Sequence, residues 1–334
     1  MRILVTGGTG FVGSHSVAAL TAAGHYIRLL VRSRSRIQPA LAPLGVTDLD
    51  AVVGDCTDQT AVQTAMSGCD ALLHCANVYS WSPKLQASLV ETNRDATAYV
   101  LREAAHRGLD PIVHVSSYVA LLPSEEPLTQ SSPPGTFTTG YAASKAAAEH
   151  IARGLQDDGA PVVTTYPGAV IGPHDPYLGQ SNSLLLSLLG SRRPTTAGFI
   201  GCVDVRDVAA LHAAVMQPGL GPRQYLITGH DLRVAELARK AAAAAEIQSR
   251  PIDVPAPAAR VAGWLFDALA RTGVTVDAGS AGMAVLLAYR GSRQDSLGDL
   301  GVHIRPLQET LEDTVAWLRA AGHLSDRRDD SAQT

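Results

Sequence analysis

Eight residues near the start of the chain, Thr6-Gly7-Gly8-Thr9-Gly10-Phe11-Val12-Gly13, constrain its fold more than any others. They follow a short apolar run (residues 2–6) and open a helical pattern (residues 11–23). A strand that turns at once into a helix aims the free N–H groups and positive dipole end of that helix at the space above the turn. Glycine at 7 permits the tight turn, at 10 lets a phosphate approach the backbone, and at 13 allows close packing of helix on strand. The strand–turn–helix setting, more than the glycine pattern, points to a dinucleotide pyrophosphate. Thr6, Gly7, Gly10, Phe11, Val12 and Gly13 are the candidate contacts.

Short apolar runs alternate with longer helical patterns through the first half of the chain. Residues 2–6, 26–31, 50–53, 70–75, 112–116 and 161–166 read as strands, and 11–23, 58–67, 84–107 and 140–157 as helices. Buried parallel strands show up as continuous apolar runs, so an α/β fold follows, a Rossmann-type doubly wound parallel sheet with its site at the strand C-terminal ends. After residue 167 the regularity breaks down. Pro167–Gly179 reads as a site-lining loop, followed by a helix near 181–190, a strand and helix over 202–216 and a strand near 224–228. Helices are expected at about 233–246, 256–271, 277–290 and 307–321. This predicts a dinucleotide domain of 1–167 plus about 202–228. A smaller, discontinuous substrate lobe takes about 168–201 and 229–321, and the polar stretch 325–334 reads as a flexible tail.

The residue after the second strand selects between NAD and NADP, because an acid there binds the ribose 2′-hydroxyl and an arginine a 2′-phosphate. Here Val31 is followed by Arg32 and Ser33, with Arg34 and Arg36 close behind and no acid nearby. NADP(H) is therefore the expected cofactor in preference to NAD(H). Asp55 ends the third strand and can face the adenine amino group or cap the next helix. Cys75, Ala76 and Asn77 end the fourth strand, where small residues let a nucleotide lie against the backbone.

Tyr141 and Lys145 stand four apart at the start of a helical pattern, on one face. In a chain with lysine only at 84, 145 and 240, a lysine at that spacing carries weight. A phenol with a pKa of about 10 is a poor acid–base catalyst at neutral pH, and a nearby ammonium lowers it. Ser117, or failing it Ser116, ends the fifth strand and can hydrogen-bond a substrate oxygen. Alternation along a strand turns only one of the two toward the cleft.

With these motifs in place, the chain resembles an extended short-chain dehydrogenase/reductase of the NAD-dependent epimerase/dehydratase family, from the glycine turn to about residue 321. The resemblance implies the roles of Ser117, Tyr141 and Lys145, and adds Asn93 in Val90-Glu91-Thr92-Asn93. It also implies that Pro167, Gly168 and Val170, in the Tyr166–Pro173 loop, close over the nicotinamide beside Lys145. Cys202–Ala209 resembles a structural segment of the family, with Arg206 in place of the usual first acid. Within the family the chain is similar to the dihydroflavonol-4-reductase-like branch, through Arg32, the Gly68–Ala76 run and the Tyr166-Pro167-Gly168 loop. That branch implies a reductase interconverting a carbonyl and a secondary alcohol on a small apolar or cyclic molecule. Nucleotide-sugar relatives tend to carry an asparagine where Tyr166 or Pro167 stands and an arginine near 195–199; neither stands there, although Arg192 and Arg193 lie close by. A nucleotide-sugar epimerase/dehydratase is the alternative, followed by a 3β-hydroxysteroid-dehydrogenase-like enzyme and a non-catalytic NADP(H)-sensing protein. Substrate contacts are sought at Ser117, Tyr79, Trp81, Tyr118, His174 and Tyr177, with the proline-rich stretch 118–139 as a mobile rim.

A net charge of −4 supplies no general attraction for nucleic acid or an acidic membrane surface, so neither is an expected partner. Cys56, Cys69, Cys75 and Cys202 have no metal-ligand spacing and read as free thiols in a reducing compartment, so no metal is expected. Met1-Arg2 leads directly into the first strand without a leader pattern, and no apolar stretch is long enough to span a bilayer. A cytoplasmic location is expected. The resemblance also implies a homodimer through the helices at 84–107 and 140–157.

Overall fold

The computed structural model describes all residues except 78–85, 139, 191–193, 273–279, 295–296 and 326–334, and within helices omits the side chains of 86–89, 270 and 271. The first part runs β1 (Arg2–Thr6), α1 (Phe11–Ala22), β2 (Tyr26–Val31), α2 (Ile37–Leu41), β3 (Asp50–Val53), α3 (Gln59–Met66) and β4 (Ala71–His74). It continues through α4 (Gln86–His106), β5 (Ile112–Val115), α5 (Gly140–Asp157) and β6 (Val162–Pro167). The remainder contains β7 (Ala169–Ile171), α6 (Gln180–Leu188), β8 (Pro194–Thr196), β9 (Phe199–Asp204), α7 (Val205–Ala214) and β10 (Arg223–Ile227). Last come β11 (His230–Arg233), α8 (Val234–Ala244), β12 (Ile252–Val254), α9 (Ala256–Arg271), α10 (Ser280–Ala288) and α11 (Leu307–Ala320).

Seven strands form one parallel sheet in the order β10-β6-β5-β4-β1-β2-β3. The chain winds outward in both directions from β1 and β4, so their C-terminal ends mark the crevice where a ligand has room. Successive side chains alternate between the two faces. Ile3 and Val5 join Val17, Leu20, Val208 and Leu211 of α1 and α7 on one side. Leu4 joins Val62, Leu101 and Ala152 of α3, α4 and α5 on the other. Both faces are covered, which is why β4 and β5 are buried at every position.

The C-terminal elements build a second core. β7 pairs in parallel with β9, and β11 pairs with β9 antiparallel. Leu185, Leu188, Ile200, Leu237, Ala241, Leu311 and Val315 fill the space between this sheet and α6, α8 and α11. β9 crosses the division expected near residue 202. Pro167–Gly179 was expected to contain no regular element, and β7 corrects that. Its three residues, Ala-Val-Ile, are held by a partner some thirty positions downstream, a tertiary pairing with no local signature.

Residues 118–138 also differ from the expected free rim. Leu121, Leu122 and Leu128 are buried, Leu128 exchanges backbone hydrogen bonds with Gly291 and Arg293, and Arg153 on α5 donates to the Ser132 carbonyl. Apolar residues set among the prolines anchor the segment. No described helix is long and apolar enough to cross a membrane.

Candidate active site

The glycine turn sits where the sheet topology calls for a ligand. Gly7 has φ +70°, and a Cβ there would lie 2.6 Å from the Ala76 nitrogen, so glycine lets the turn press against the end of β4. A Cβ at Gly13 would overlap the Gly7 carbonyl oxygen. Gly10 is the N-cap of α1 and offers no side chain to the first helical N–H groups, which stay free for an anion. A Cβ at Gly10 would meet only the Gly7 oxygen within 4 Å and would otherwise jut into the open space above the turn. A dinucleotide pyrophosphate fits this cradle. Thr6 is buried and staples the strands below it. Its hydroxyl bonds His74 Nδ1 at 2.7 Å and accepts from the Ala76 N–H at 3.3 Å. Phe11 packs edge-on against His15, and Val12 accepts from the Ser16 hydroxyl with its carbonyl.

Beyond β2, Arg32 is exposed and makes no hydrogen bond or ion pair among the described residues. Its charge helps hold the Asp55 carboxyl below its usual value, after the larger effect of the Thr57 N–H. Asp55 accepts from Thr57 N and Oγ1, while Asp58, not Asp55, caps α3. The Ser33 hydroxyl caps the turn that follows and bonds Ser35. Arg36 lies over the Tyr177 ring, 5.6 Å from its centre, which ties the Tyr177 loop to the segment after β2.

At the other end of the crevice, the tip of β5 meets the first turns of α5. Lys145 is buried and donates to the Val115 carbonyl at 3.1 Å, with its ammonium 5.9 Å from the centre of the Tyr141 ring. Burial lowers the Lys145 pKa to about 8, against the opposing pull of Cys75 and Glu149. Asn93 on α4 donates to Ser144 Oγ, which in turn donates to the Tyr141 carbonyl. Asn93 thus holds the turn that presents the tyrosine. The Ser117 hydroxyl reaches the Pro167 carbonyl at 3.5 Å and accepts from the Val119 N–H, while Ser116 Oγ is buried with no partner among the described residues. Tyr118 and Tyr141 share an apolar cluster with Tyr166, Leu226, Val285 and Tyr289.

Beneath Lys145 two buried imidazoles stack across adjacent strands, His74 on His114, 5.8 Å apart. Burial, with the Lys145 charge adding to it, brings His74 down to about 3 and His114 well below its ordinary value, so both are neutral. The Cys75 thiol, buried at the same strand end, is pushed up to about 12.

The loop after β6 crosses over α1. Gly168 has no room for a side chain between the Gly201 and Thr228 carbonyls, and Val170 is buried in β7. The Pro173 carbonyl bonds His15, His174 is exposed at φ +58°, and Tyr177 is exposed. Asn77 is half-buried, whereas Tyr79 and Trp81 lie outside the described residues.

Several supporting residues were not anticipated. Glu149 is fully buried, accepts from Tyr166 Oη at 2.5 Å and from Arg153 Nε at 2.7 Å, and backs Lys145 one turn along α5. Its four-residue spacing from Lys145 was the available signal. Asp175 accepts from the Gly179 N–H and from Asn182, which also clasps both backbone groups of Gly172. Nothing in a Pro- and Gly-rich stretch distinguishes such a clasp from ordinary turn residues. Together the elements can hold a dinucleotide across β1 and β4 with an acid–base phenol at one end.

Comparison with known proteins agrees with this geometry. The family model described as "NAD dependent epimerase/dehydratase family" matches residues 3–228. A putative dihydroflavonol 4-reductase from Synechocystis sp. is 30% identical over 335 residues, covering 96% of this chain and 95% of that protein. Sterol demethylase protein B from Methylococcus capsulatus is 30% identical over 249 residues, covering 71% and 72% respectively. Among solved structures, gox2253 superposes with a TM-score of 0.79 at 25% identity, covering 97% of this chain and 99% of that one.

Proposed function

This chain belongs to the NAD dependent epimerase/dehydratase family, an NAD(P)-dependent enzyme of the extended short-chain type, and we propose that it is an NADP(H)-dependent reductase of a small apolar or cyclic carbonyl compound. One observation carries the reading: Tyr141 stands beside a buried Lys145 at the end of β5, facing an apolar cluster. The bound nicotinamide supplies or accepts the hydride. In the reductive direction Tyr141 gives its phenolic proton to the carbonyl oxygen as the carbonyl carbon gains hydride, leaving a secondary alcohol and a phenolate that takes a proton back from solvent. Lys145 stabilises that phenolate, and Ser117 donates a hydrogen bond to the substrate oxygen. Asn93 is a positioning residue, acting through Ser144 on the turn that carries Tyr141.

Arg32 and Ser33, at the edge of β2, would receive a 2′-phosphate, with Asp55 near the adenine and Cys75, Ala76 and Asn77 along the nucleotide. Pro167, Gly168 and Val170 would close on the nicotinamide side, where 168–201 and 229–321 form the smaller substrate lobe. Tyr118 packs edge-on against Tyr289, their rings 4.8 Å apart, in the buried cluster behind Tyr141. His174 and Tyr177 lie farther along the same loop. The four free thiols favour a reducing cytoplasm, and the α4–α5 face is the expected homodimer interface.

The test is a panel of ketones, aldehydes and nucleotide sugars with either reduced cofactor. NADPH consumption on ketones or aldehydes supports the proposal, whereas epimerisation of a sugar with no net consumption overturns it. Losing one charge-assisted phosphate contact is worth about 2 kcal/mol, so Arg32→Asp should weaken NADPH binding roughly thirtyfold and leave NADH nearly unchanged. An equal loss for both cofactors would remove the NADP assignment.

A further inference from the structure

Helix α9 is folded inside out. Ala259 is buried, and a Cβ on Gly263 would lie 2.9 Å from the Ser280 Cα, so α10 rests directly on the helix backbone. Asp267 also points to that side and accepts from Ser280 N and Oγ. The large apolar residues face the other way. Val261 is 52% exposed, Trp264 67%, Leu265 60% and Leu269 46%, and Phe266 on their flank is 41% exposed. At 100° per residue, Val261, Trp264, Leu265 and Leu269 fall on one arc.

These side chains expose about 500 Å², within the roughly 300–600 Å² of the largest apolar patch on a soluble monomer, which is often a functional one. We propose that this face of α9 docks on a lipid surface, lying in the headgroup plane of an anionic membrane. Three observations favour that occupant over a second copy of the chain. A stable dimer needs roughly 800 Å² from each partner, more than the patch offers. Residues 250–293 contain five arginines and three aspartates, a net +2, in a chain whose overall charge is −4. Arg260 is exposed one helical turn before Trp264, so a guanidinium that can reach headgroups stands next to an indole that prefers the interface. The chain as a whole has no attraction for an acidic membrane, and α9 is the local exception.

Docking there puts the membrane on the α10 side of the Tyr141 cluster, because α10 rests on α9 and contributes Val285 to that cluster. The docking proposal itself does not depend on the reductase reading.

The test is co-sedimentation of the full chain with vesicles of equal parts phosphatidylcholine and phosphatidylglycerol. The expected result is binding to these vesicles, at least tenfold weaker binding to pure phosphatidylcholine, and quenching of tryptophan fluorescence by brominated acyl chains. The doubly substituted Trp264→Gln, Leu265→Gln chain should lose at least tenfold in vesicle affinity with its melting temperature unchanged. Failure of the unaltered chain to sediment with the anionic vesicles overturns the proposal, whatever the variant does. So does a double variant that binds as before, or one that turns a dimer into a monomer in sedimentation velocity, which would assign the face to a second copy.

Discussion

Helices α5 and α9 are of similar length, 18 and 16 residues, and each contradicts the rule that apolar side chains go inside and charges out. On α5 the buried face includes Lys145 and Glu149. On α9 the exposed face includes Trp264 and Leu265. The first helix offsets its violation internally, with Val115 receiving the lysine and Arg153 and Tyr166 receiving the glutamate. The second has no such compensation among the described residues. A helix that departs from the rule and is satisfied serves chemistry where it sits, whereas one left unsatisfied is shaped for something outside the chain.

Acid offers the largest test of the α5 side. The His74 and His114 rings beneath Lys145, with His212 at about 3 and His15 at about 4, are held neutral chiefly by burial. The unfolded chain binds protons on these residues near pH 6.5 and the folded chain only near the lowered values, so their stabilisation is complete above 6.5 and is lost as pH falls toward 3–4. His74 alone accounts for on the order of 5 kcal/mol at the bottom of that range. Calorimetry should show the melting temperature falling steadily below pH 6.5, and a flat profile between 6.5 and 4 would contradict neutral buried rings.

Next in size, Tyr141→Phe should lower turnover about 10³-fold, or ~4 kcal/mol, with cofactor binding retained. Single-turnover assays and fluorescence titration separate the two, and retained turnover would remove α5 from the chemistry. Glu149→Ala leaves Arg153 half-buried without its carboxylate and Tyr166 without an acceptor, which should cost about 3 kcal/mol in urea unfolding. A cost under 1 kcal/mol would mean that the buried charge is not held by its partners. The smallest effect belongs to α9. Leu265→Gln should change stability by no more than about 0.5 kcal/mol, where a buried leucine such as Leu101 cut to alanine costs about 2–5. A large loss at Leu265 would place that face inside the fold and dissolve the contrast.

The same contrast explains what could be read from the amino acids alone. β1, β4 and β5 are legible because a strand covered on both faces reads as a nearly continuous apolar run, and α5 because tyrosine and lysine four apart share a face. β8, β11 and β12 are three or four residues long and include Pro194, Thr195, His230 and Asp253, which have no periodicity to detect. Their pairing is set by distant partners. On α9 the apolar arc is plain in the sequence, but periodicity cannot say which way an arc points. At the site, Asp175 and Asn182 escaped notice because loops abound in such residues, and only the fold shows them gripping Gly172.

The outermost strand of the large sheet has a consequence for how this protein is made. β10 begins 56 residues after β6 ends, yet among the described residues it is the strand that covers that edge. At a ribosomal pace of about 5–20 residues per second, the rim of β6 waits roughly 3–11 seconds for its neighbour. During that interval the nascent chain presents an open row of amides and carbonyls to every other unfinished copy. Yield on overexpression should therefore depend on chaperone supply and growth temperature more than on the stability of the finished fold.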